Sequence, residues 1–384
     1  MKVLYVIEFS NMTGGMLHSV EMLIRYIGPL GVSAAVMLPC KGQSAEAFKQ
    51  AGASVFVDPD DKSWVVSVTQ PLRTLATARR FTKYLKTVVK EFKPNIIHTS
   101  NIAAELLTEL GFCLNGLDIP RVFTQRGNVY RGISGRVLRK SLQYVSRVIV
   151  TTRYQYEVTK SILGVSEDKI TVIPNATDLH YQKGQQPTLR DKWGVSEDDL
   201  VFTVVGYPSA GKCQETFIEA ADITRDSFPN AKFVIVGETG SASDKIYLCK
   251  LRKMVAELHL HDRVVFAGYC ANTRELMDSV DVLVSTSLFE GFGRTIIEAW
   301  ARKRPVISTR VGGPMCIVNH GKDGFLFTPK NAQELAEYMI KLGDPSIRSA
   351  MGEAGYNQVL EKYDAKEVAQ EYLRIYYSIL KGHC

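Results

Sequence analysis

Two glutamates, Glu290 and Glu298, stand eight residues apart around a Gly291-Phe292-Gly293 turn, within the segment FEGFGRTIIEAWA at residues 289–301. Carboxylates accept hydrogen bonds from hydroxyls. Glycines in a turn before a helix let the backbone come close to a ligand, and the unpaired amides of the first helical turn favour an anion. The positive end of the helix dipole adds to that preference. Phosphate-binding amides between two carboxylates suit a ligand with phosphates in its middle and hydroxyls at both ends, as in a nucleotide sugar. The plainer reading of the glutamates is helix capping and surface pairing.

Such a turn needs a strand before it and a helix after it. Residues 282–284 are a short apolar run of the kind buried in a parallel sheet, and residues 294–302 read as a helix. The same alternation runs through the chain. Strands are expected at 2–8, 34–38, 54–57, 95–98, 121–124, 147–150 and 170–173, with helices between them, notably 72–92, 102–113 and 154–163. A second series has strands at 201–205, 232–236, 264–267, 282–284, 306–308 and 325–327, after a polar stretch at 179–186 that suits a linker. Alternating strands and helices imply doubly wound parallel sheets, and 384 residues exceed the usual limit of one core.

With these residues in place, the chain resembles the retaining glycosyltransferases of family 4. Glu290, the Gly-Phe-Gly turn and Glu298 are similar to that family's E-x7-E signature. Pro305-Val306-Ile307-Ser308 with Val311-Gly312-Gly313-Pro314, and Gly321-Lys322-Asp323-Gly324-Phe325-Leu326, resemble the segments that follow it. The resemblance implies the GT-B fold: two Rossmann-like domains facing a central cleft, the first over about 1–180 for the acceptor and the second over 187–363 for the donor. The tail, about 364–384, carries Tyr372, Ile375, Tyr376 and Ile379 at helical spacing. It either crosses back to the first domain, as is common in that fold, or closes the second.

Residue by residue, the resemblance implies that Glu290 binds hydroxyls of the donor sugar and Glu298 the ribose. Gly14-Gly15, after the first strand, is similar to the loop that closes over the donor phosphates; on its own a glycine pair there is only a turn. Gly206-Tyr207-Pro208-Ser209-Ala210-Gly211-Lys212 is similar to the segment that supplies two cations to the diphosphate. Lys212 fits. Tyr207 stands where the family carries arginine, and Arg294 is the candidate replacement, against the plain reading of a solvent-facing first-turn residue. His98 lies at the end of its strand, followed by Thr99-Ser100-Asn101, and is the catalytic candidate on the acceptor side. Arg126 occupies a position where several family members have histidine; it suits an anionic group and cannot act as a base near neutral pH. Met315 and Cys316 stand where the family often has glutamate. Asp58-Pro59-Asp60-Asp61 contains Asp-x-Asp but reads as a turn. Neither metal nor cofactor is expected.

Charge is unevenly spread. Residues 1–180 hold 22 Lys and Arg against 14 Asp and Glu, whereas the rest holds 25 against 26. Residues 73–93 carry seven basic residues opposed only by Glu91, and residues 121–153 carry eight with no acid. This is either a solvated face or a surface for an anionic partner, such as a membrane or a phosphate-bearing lipid acceptor. No nucleic-acid motif accompanies it. Seven scattered cysteines without metal-ligand spacing suit a reducing compartment, and the apolar start is too short for a signal peptide. The expected protein is cytoplasmic, soluble or peripheral at the inner face of the membrane.

The reading is a retaining, metal-independent hexosyltransferase. It moves a hexosyl or N-acetylhexosaminyl group from a nucleotide diphosphate sugar, a UDP-sugar favoured, to a glycan or lipid-linked acceptor in polysaccharide or glycoconjugate biosynthesis. The alternatives are a nucleotide-sugar-binding regulatory homologue that has lost transfer, suggested by Tyr207, Arg126 and Cys316, and a GT-B nucleotide-sugar epimerase.

Overall fold

A computed structural model of the chain describes residues 1–8, 15–64, 66, 70–127, 133–179, 189–239 and 241–383. The first series of elements is β1 (Lys2–Val6), α1 (Gly15–Ile27), β2 (Ser33–Leu38), α2 (Gln43–Gln50), β3 (Ser54–Val57), α3 (Pro71–Phe92), β4 (Ile96–Thr99), α4 (Ile102–Asn115), β5 (Arg121–Gln125), α5 (Ile133–Leu142), β6 (Arg147–Val150), α6 (Arg153–Leu163) and β7 (Ile170–Val172). The second is α7 (Leu189–Trp193), β8 (Val201–Val205), α8 (Gln214–Ile223), β9 (Lys232–Val236), α9 (Ala242–Glu257), β10 (Val264–Gly268), α10 (Thr273–Asp278), β11 (Val282–Ser285), α11 (Arg294–Trp300), β12 (Val306–Thr309), α12 (Pro314–Ile317), β13 (Gly324–Phe327), α13 (Ala332–Lys341) and α14 (Pro345–Lys362). A last helix, α15, spans Ala365–His383. Most of the expected linker lies outside the described residues.

The chain divides into two compact units, Met1–Ala176 with Ala365–Cys384, and Thr177–Asp364. Each is built on one sheet whose strand pairs are all parallel. The first has the order β3-β2-β1-β4-β5-β6-β7 and the second β10-β9-β8-β11-β12-β13. Every strand falls within a residue or two of its expected position. In the inner strands the runs of Val, Ile, Leu and Phe are buried on both faces, as parallel sheets require, and the edge strands β3, β7 and β10 are less covered.

In the first unit, α1 turns Leu17, Val20, Leu23, Ile24 and Ile27 inward at helical spacing. On the same sheet face α15 contributes Val368, Ala369, Tyr372, Tyr376 and Ile379 to one core with them. The opposite face packs on α3 and α4 through Phe81, Leu85, Val88 and Leu107. Most basic residues of α3 lie on its outside: Arg79, Lys83, Lys86 and Lys90 are exposed, whereas Arg80 turns in toward Asp58.

In the second unit, Trp300 is fully buried and its Nε1 donates to the Asp323 carbonyl at 2.9 Å. A Cβ on Gly355 would sit 2.1 Å from the Trp300 ring, so only glycine lets α14 pass it. Burying side chains of this size contributes about 1.5–3 kcal/mol each. α11 ends at Trp300, two residues short of expectation, and Lys303 then turns the chain with a left-handed φ of 57°.

Candidate functional site

In doubly wound sheets ligands bind beyond the carboxyl ends of strands where the strand order reverses. In the second unit that point lies between β8 and β11, and the loops that leave these two strands carry Gly206–Lys212 and Glu290–Gly293. Gly206 takes a φ of 150° and its N–H donates to the Val236 carbonyl at 2.8 Å. A Cβ on Gly206 would press against the Lys212 stem at 3.2 Å. Its neighbour after β9, Gly237, has a φ of 153°, and a Cβ there would lie 2.1 Å from the Gly206 carbonyl oxygen. Gln214, fully buried, donates to the Tyr207 carbonyl at 3.1 Å and accepts from the Ser209 N–H at 3.3 Å. The loop is thus fixed from inside the fold.

Two further bonds clamp it to the loop after β11. Thr286 Oγ1 donates to the Lys212 carbonyl at 2.7 Å, and the Leu288 N–H donates to the Gly211 carbonyl at 2.8 Å. Between them Lys212 Nζ reaches Glu290 Oε2 at 2.9 Å, with side chains 33% and 24% exposed. Ser287 Oγ lies 3.5 Å from the same oxygen. A third loop, after β12, joins through the Gly313 N–H, which donates to the Glu290 carbonyl at 2.8 Å. Gly313 must be glycine for this approach, since a Cβ would fall 2.5 Å from the Gly291 oxygen and the Phe292 Cα.

Gly293 caps α11 with a left-handed φ of 92°. Directly after it, Arg294 Nη2 donates to Glu298 Oε1, one turn further along the helix, at 2.8 Å; both side chains are mostly buried. Phe292 turns inward, 4% exposed, with its ring edge-on to Tyr363 at 5.8 Å. Its side chain serves the core, so any ligand contact it makes is through backbone. Tyr207 points outward, 40% exposed, in the same loop as Lys212. Met315 and Cys316 are exposed near the Gly313 turn.

The first-unit candidates are placed separately. Gly14 lies outside the described residues, and Gly15 opens α1. His98, expected to face an acceptor, is instead 1% exposed. Its Nδ1 lies 2.6 Å from the Tyr376 hydroxyl of α15 and its Nε2 2.7 Å from Thr124 Oγ1. Burial, with the Arg126 charge nearby, pulls its pKa down to about 3, so the ring is neutral. Arg126 bonds the Asn175 side chain and lies 3.5 Å from the Tyr372 hydroxyl. Asp58, the first acid of the Asp-x-Asp, is buried and accepts from Trp64 Nε1 at 2.9 Å and Arg80 Nε at 3.1 Å, as a turn residue would.

Sequence reasoning missed the clamp residues Thr286 and Gln214, whose side chains bond the backbone of another loop or of their own and leave no compositional mark; it placed Gly313 only in a glycine turn after the strand. It also took Glu8 as the end of a strand at 2–8, whereas β1 stops at Val6 and leaves Glu8 just beyond it, at the first sheet's reversal between β1 and β4. Burial pushes this carboxyl up to about 7. A carboxylate immediately after a buried strand is the signal that would have found it. Among the described residues no group of three or more His, Cys, Asp or Glu is placed to hold a metal ion, and no helix is long and apolar enough to cross a membrane.

Comparison with known proteins follows this geometry. Residues 13–181 match the model described as Glycosyltransferase Family 4, and residues 185–358 the model described as Glycosyl transferases group 1. The N-acetyl-alpha-D-glucosaminyl L-malate synthase of Bacillus anthracis is 28% identical over 225 residues, 58% of this chain and 57% of that protein. The chain therefore spans little more than half the length of that relative. The UDP-Gal:alpha-D-GlcNAc-diphosphoundecaprenol alpha-1,3-galactosyltransferase of Escherichia coli is 25% identical over 293 residues, 72% of this chain and 73% of that one. Among solved structures, Anabaena Alr3699/HepE in complex with UDP and glucose superposes with a TM-score of 0.84 at 22% identity, covering 98% of this chain and 100% of that one, a likeness of fold. With two family models end to end over two parallel sheets, the chain belongs to the GT-B glycosyltransferases of the family 4 type.

Proposed function

We propose that the protein is a retaining hexosyltransferase that takes a hexosyl or N-acetylhexosaminyl group from a nucleotide diphosphate sugar, with UDP favoured, to a glycan or lipid-linked acceptor. The observation that carries this reading is the Lys212–Glu290 pair at the strand-order reversal of the second sheet. Its two members have the chemistry that the two halves of such a donor need. The Escherichia coli relative, by its name, uses UDP-Gal and a diphosphoundecaprenol-linked acceptor, which supports a UDP donor and a lipid-linked acceptor here.

In this mechanism the bond between the anomeric carbon and the β-phosphate oxygen breaks. The acceptor oxygen bonds to the same face of that carbon, and its proton passes to the departing phosphate. Lys212 holds the charge that develops on the phosphate, Glu290 accepts from the sugar hydroxyls, and Glu298 accepts from the ribose. The protein contributes position and electrostatics, which the clamped loops supply in advance. Arg294 is the second cation for the diphosphate in place of the arginine that Tyr207 replaces. On this reading the step needs neither metal nor cofactor. The basic outer face of α3 favours a membrane-presented acceptor and peripheral attachment at the cytoplasmic surface.

A panel of UDP-, GDP-, ADP- and dTDP-sugars, followed by thermal shift and by released nucleotide, tests the reading. A donor that binds only the folded state raises the melting temperature. One sugar nucleotide that both stabilises and slowly hydrolyses, with an α-linked product from an α-linked donor, supports it. The exposed Tyr207 favours a second reading, a nucleotide-sugar-binding regulator; stabilisation without turnover would decide for that. An altered sugar nucleotide recovered without transfer would decide for an epimerase. If no sugar nucleotide stabilises the protein, the donor site is refuted.

A further inference from the structure

A groove of about 840 Å³ opens between α3, α4 and α5 of the first unit. Its size is that of sites for small organic molecules, about 300–1,000 Å³. Ala78 of α3, Leu107 and Leu110 of α4, Ile119 of the following loop and Val137 of α5 line it. Val137 and Tyr144 stand at its edge, 49% and 66% exposed. Apolar side chains left this open mark a surface that something else covers.

Several of the polar groups in and behind the lining already have partners. Arg121, 3% exposed, pairs with Glu105 at 3.0 Å and also with Glu109, and Ser141 Oγ donates to the same Glu105 carboxylate at 2.9 Å. Thr74 and Asp118 have partners as well. This decides the class of occupant. A peptide laid here would bring a row of backbone amides and carbonyls to a mostly apolar lining, at a cost of about 1–3 kcal/mol for each one buried unpaired. A hydrocarbon chain brings none. At the mouth, Lys140 lines the groove and is exposed, and Arg136 is exposed one helical turn earlier on α5. Both are cations at the water boundary.

We propose that this groove binds an acyl chain of an anionic membrane phospholipid, with the lipid phosphate against Lys140 and Arg136. The chain supplies apolar contact and the phosphate supplies charge, so one lipid satisfies both parts of the surface. The proposal deepens the peripheral-membrane part of the reading above and is independent of the donor site.

Cys113 supplies the test, because it lines the groove and is exposed, whereas Cys249 is exposed on α9 of the other unit. The full-length protein is alkylated with and without phosphatidylglycerol or phosphatidylcholine vesicles, and both cysteines are followed by mass spectrometry. At lipid ten times the half-saturating level, Cys113 should react about ten-fold more slowly with phosphatidylglycerol while Cys249 is unaffected. Val137→Asp, at an exposed position where folding is safe, should abolish the protection. Lys140→Glu should remove the preference for phosphatidylglycerol. Vesicle sedimentation with Cys113 reacting at its free rate would overturn the groove and leave a surface held by charge alone. Protection without lipid that grows with protein concentration would assign the groove to a second copy, overturning the proposal. Neither sedimentation nor protection would remove the membrane reading too.

Discussion

Lys212 and Glu290, 78 residues apart, meet through a 2.9 Å bond between Nζ and Oε2, and the loops that carry them are themselves bonded backbone to side chain and backbone to backbone. A cation and an anion held together without substrate are each partly neutralised and fully positioned. A donor bringing a diphosphate and hydroxyls can exchange partners with both and needs little rearrangement.

Lys212→Ala should therefore lower kcat by about 10²–10³-fold, in the range seen when one group that stabilises developing charge is removed. Its cost in stability should stay below about 1 kcal/mol, because the pair is a quarter to a third exposed and screened by solvent. Glu290→Gln should show the same split. Steady-state kinetics beside thermal melts would check it; a loss of activity that tracks a loss of melting temperature would make the pair structural.

Arg294→Ala should weaken nucleotide-diphosphate binding as strongly as Lys212→Ala does. In the structure Arg294 bonds Glu298, so the variant also leaves that carboxylate without this partner. Calorimetric titration with the nucleoside diphosphate separates the roles: unchanged affinity would leave Arg294 as a mere helix pair.

Gly313→Ala should impair the donor site more than a methyl group normally would. The added carbon meets backbone at 2.5 Å, at the Gly291 oxygen and the Phe292 Cα, which cannot rotate aside. One loop must move, taking the Glu290 carbonyl bond with it. A destabilisation of about 1–3 kcal/mol in urea, with sugar-nucleotide affinity lowered by ten-fold or more, is the expected result. Wild-type affinity would show that the loop after β12 moves freely of the site.

His98 should make the protein sensitive to mild acid. In the unfolded chain its imidazole takes a proton below the ordinary 6.5, whereas burial holds the folded ring neutral down to about 3. Its stabilising contribution is complete above 6.5 and declines as pH falls toward 3. Between pH 7.5 and 5 the wild type should lose about 2 kcal/mol that His98→Gln does not. Urea midpoints at the two pH values measure this, and equal losses in the two proteins would mean that the folded ring is already charged.

The strands and their two series could be read from the sequence because buried parallel strands are uninterrupted runs of Val, Ile, Leu and Phe. The carboxylates around Gly291-Phe292-Gly293 were visible because eight-residue spacing is local. What stayed hidden depends on distant chain. No residue near His98 signals that a tyrosine 278 positions away closes over its Nδ1. Nor does anything beside Phe292 in the turn signal that its ring packs edge-on to Tyr363, 71 residues on. The end of α11 escaped for a subtler reason: residues 301 and 302 are good helix formers, and the stop is imposed by the left-handed turn at Lys303.

α15 has a bearing on how the protein is made. Tyr376 closes the polar group around His98 and Tyr5, and Val368, Tyr372 and Ile379 fill the core beside α1. These residues leave the ribosome after the whole second unit has been synthesised, although domains generally fold in the order in which they emerge. The first unit must wait, with an apolar trough and an unfilled polar socket, while the 188 residues of Thr177–Asp364 are translated and acquire their own sheet. The unit that begins first is thus the one completed last, and a nascent chain stalled before residue 365 leaves that core without α15.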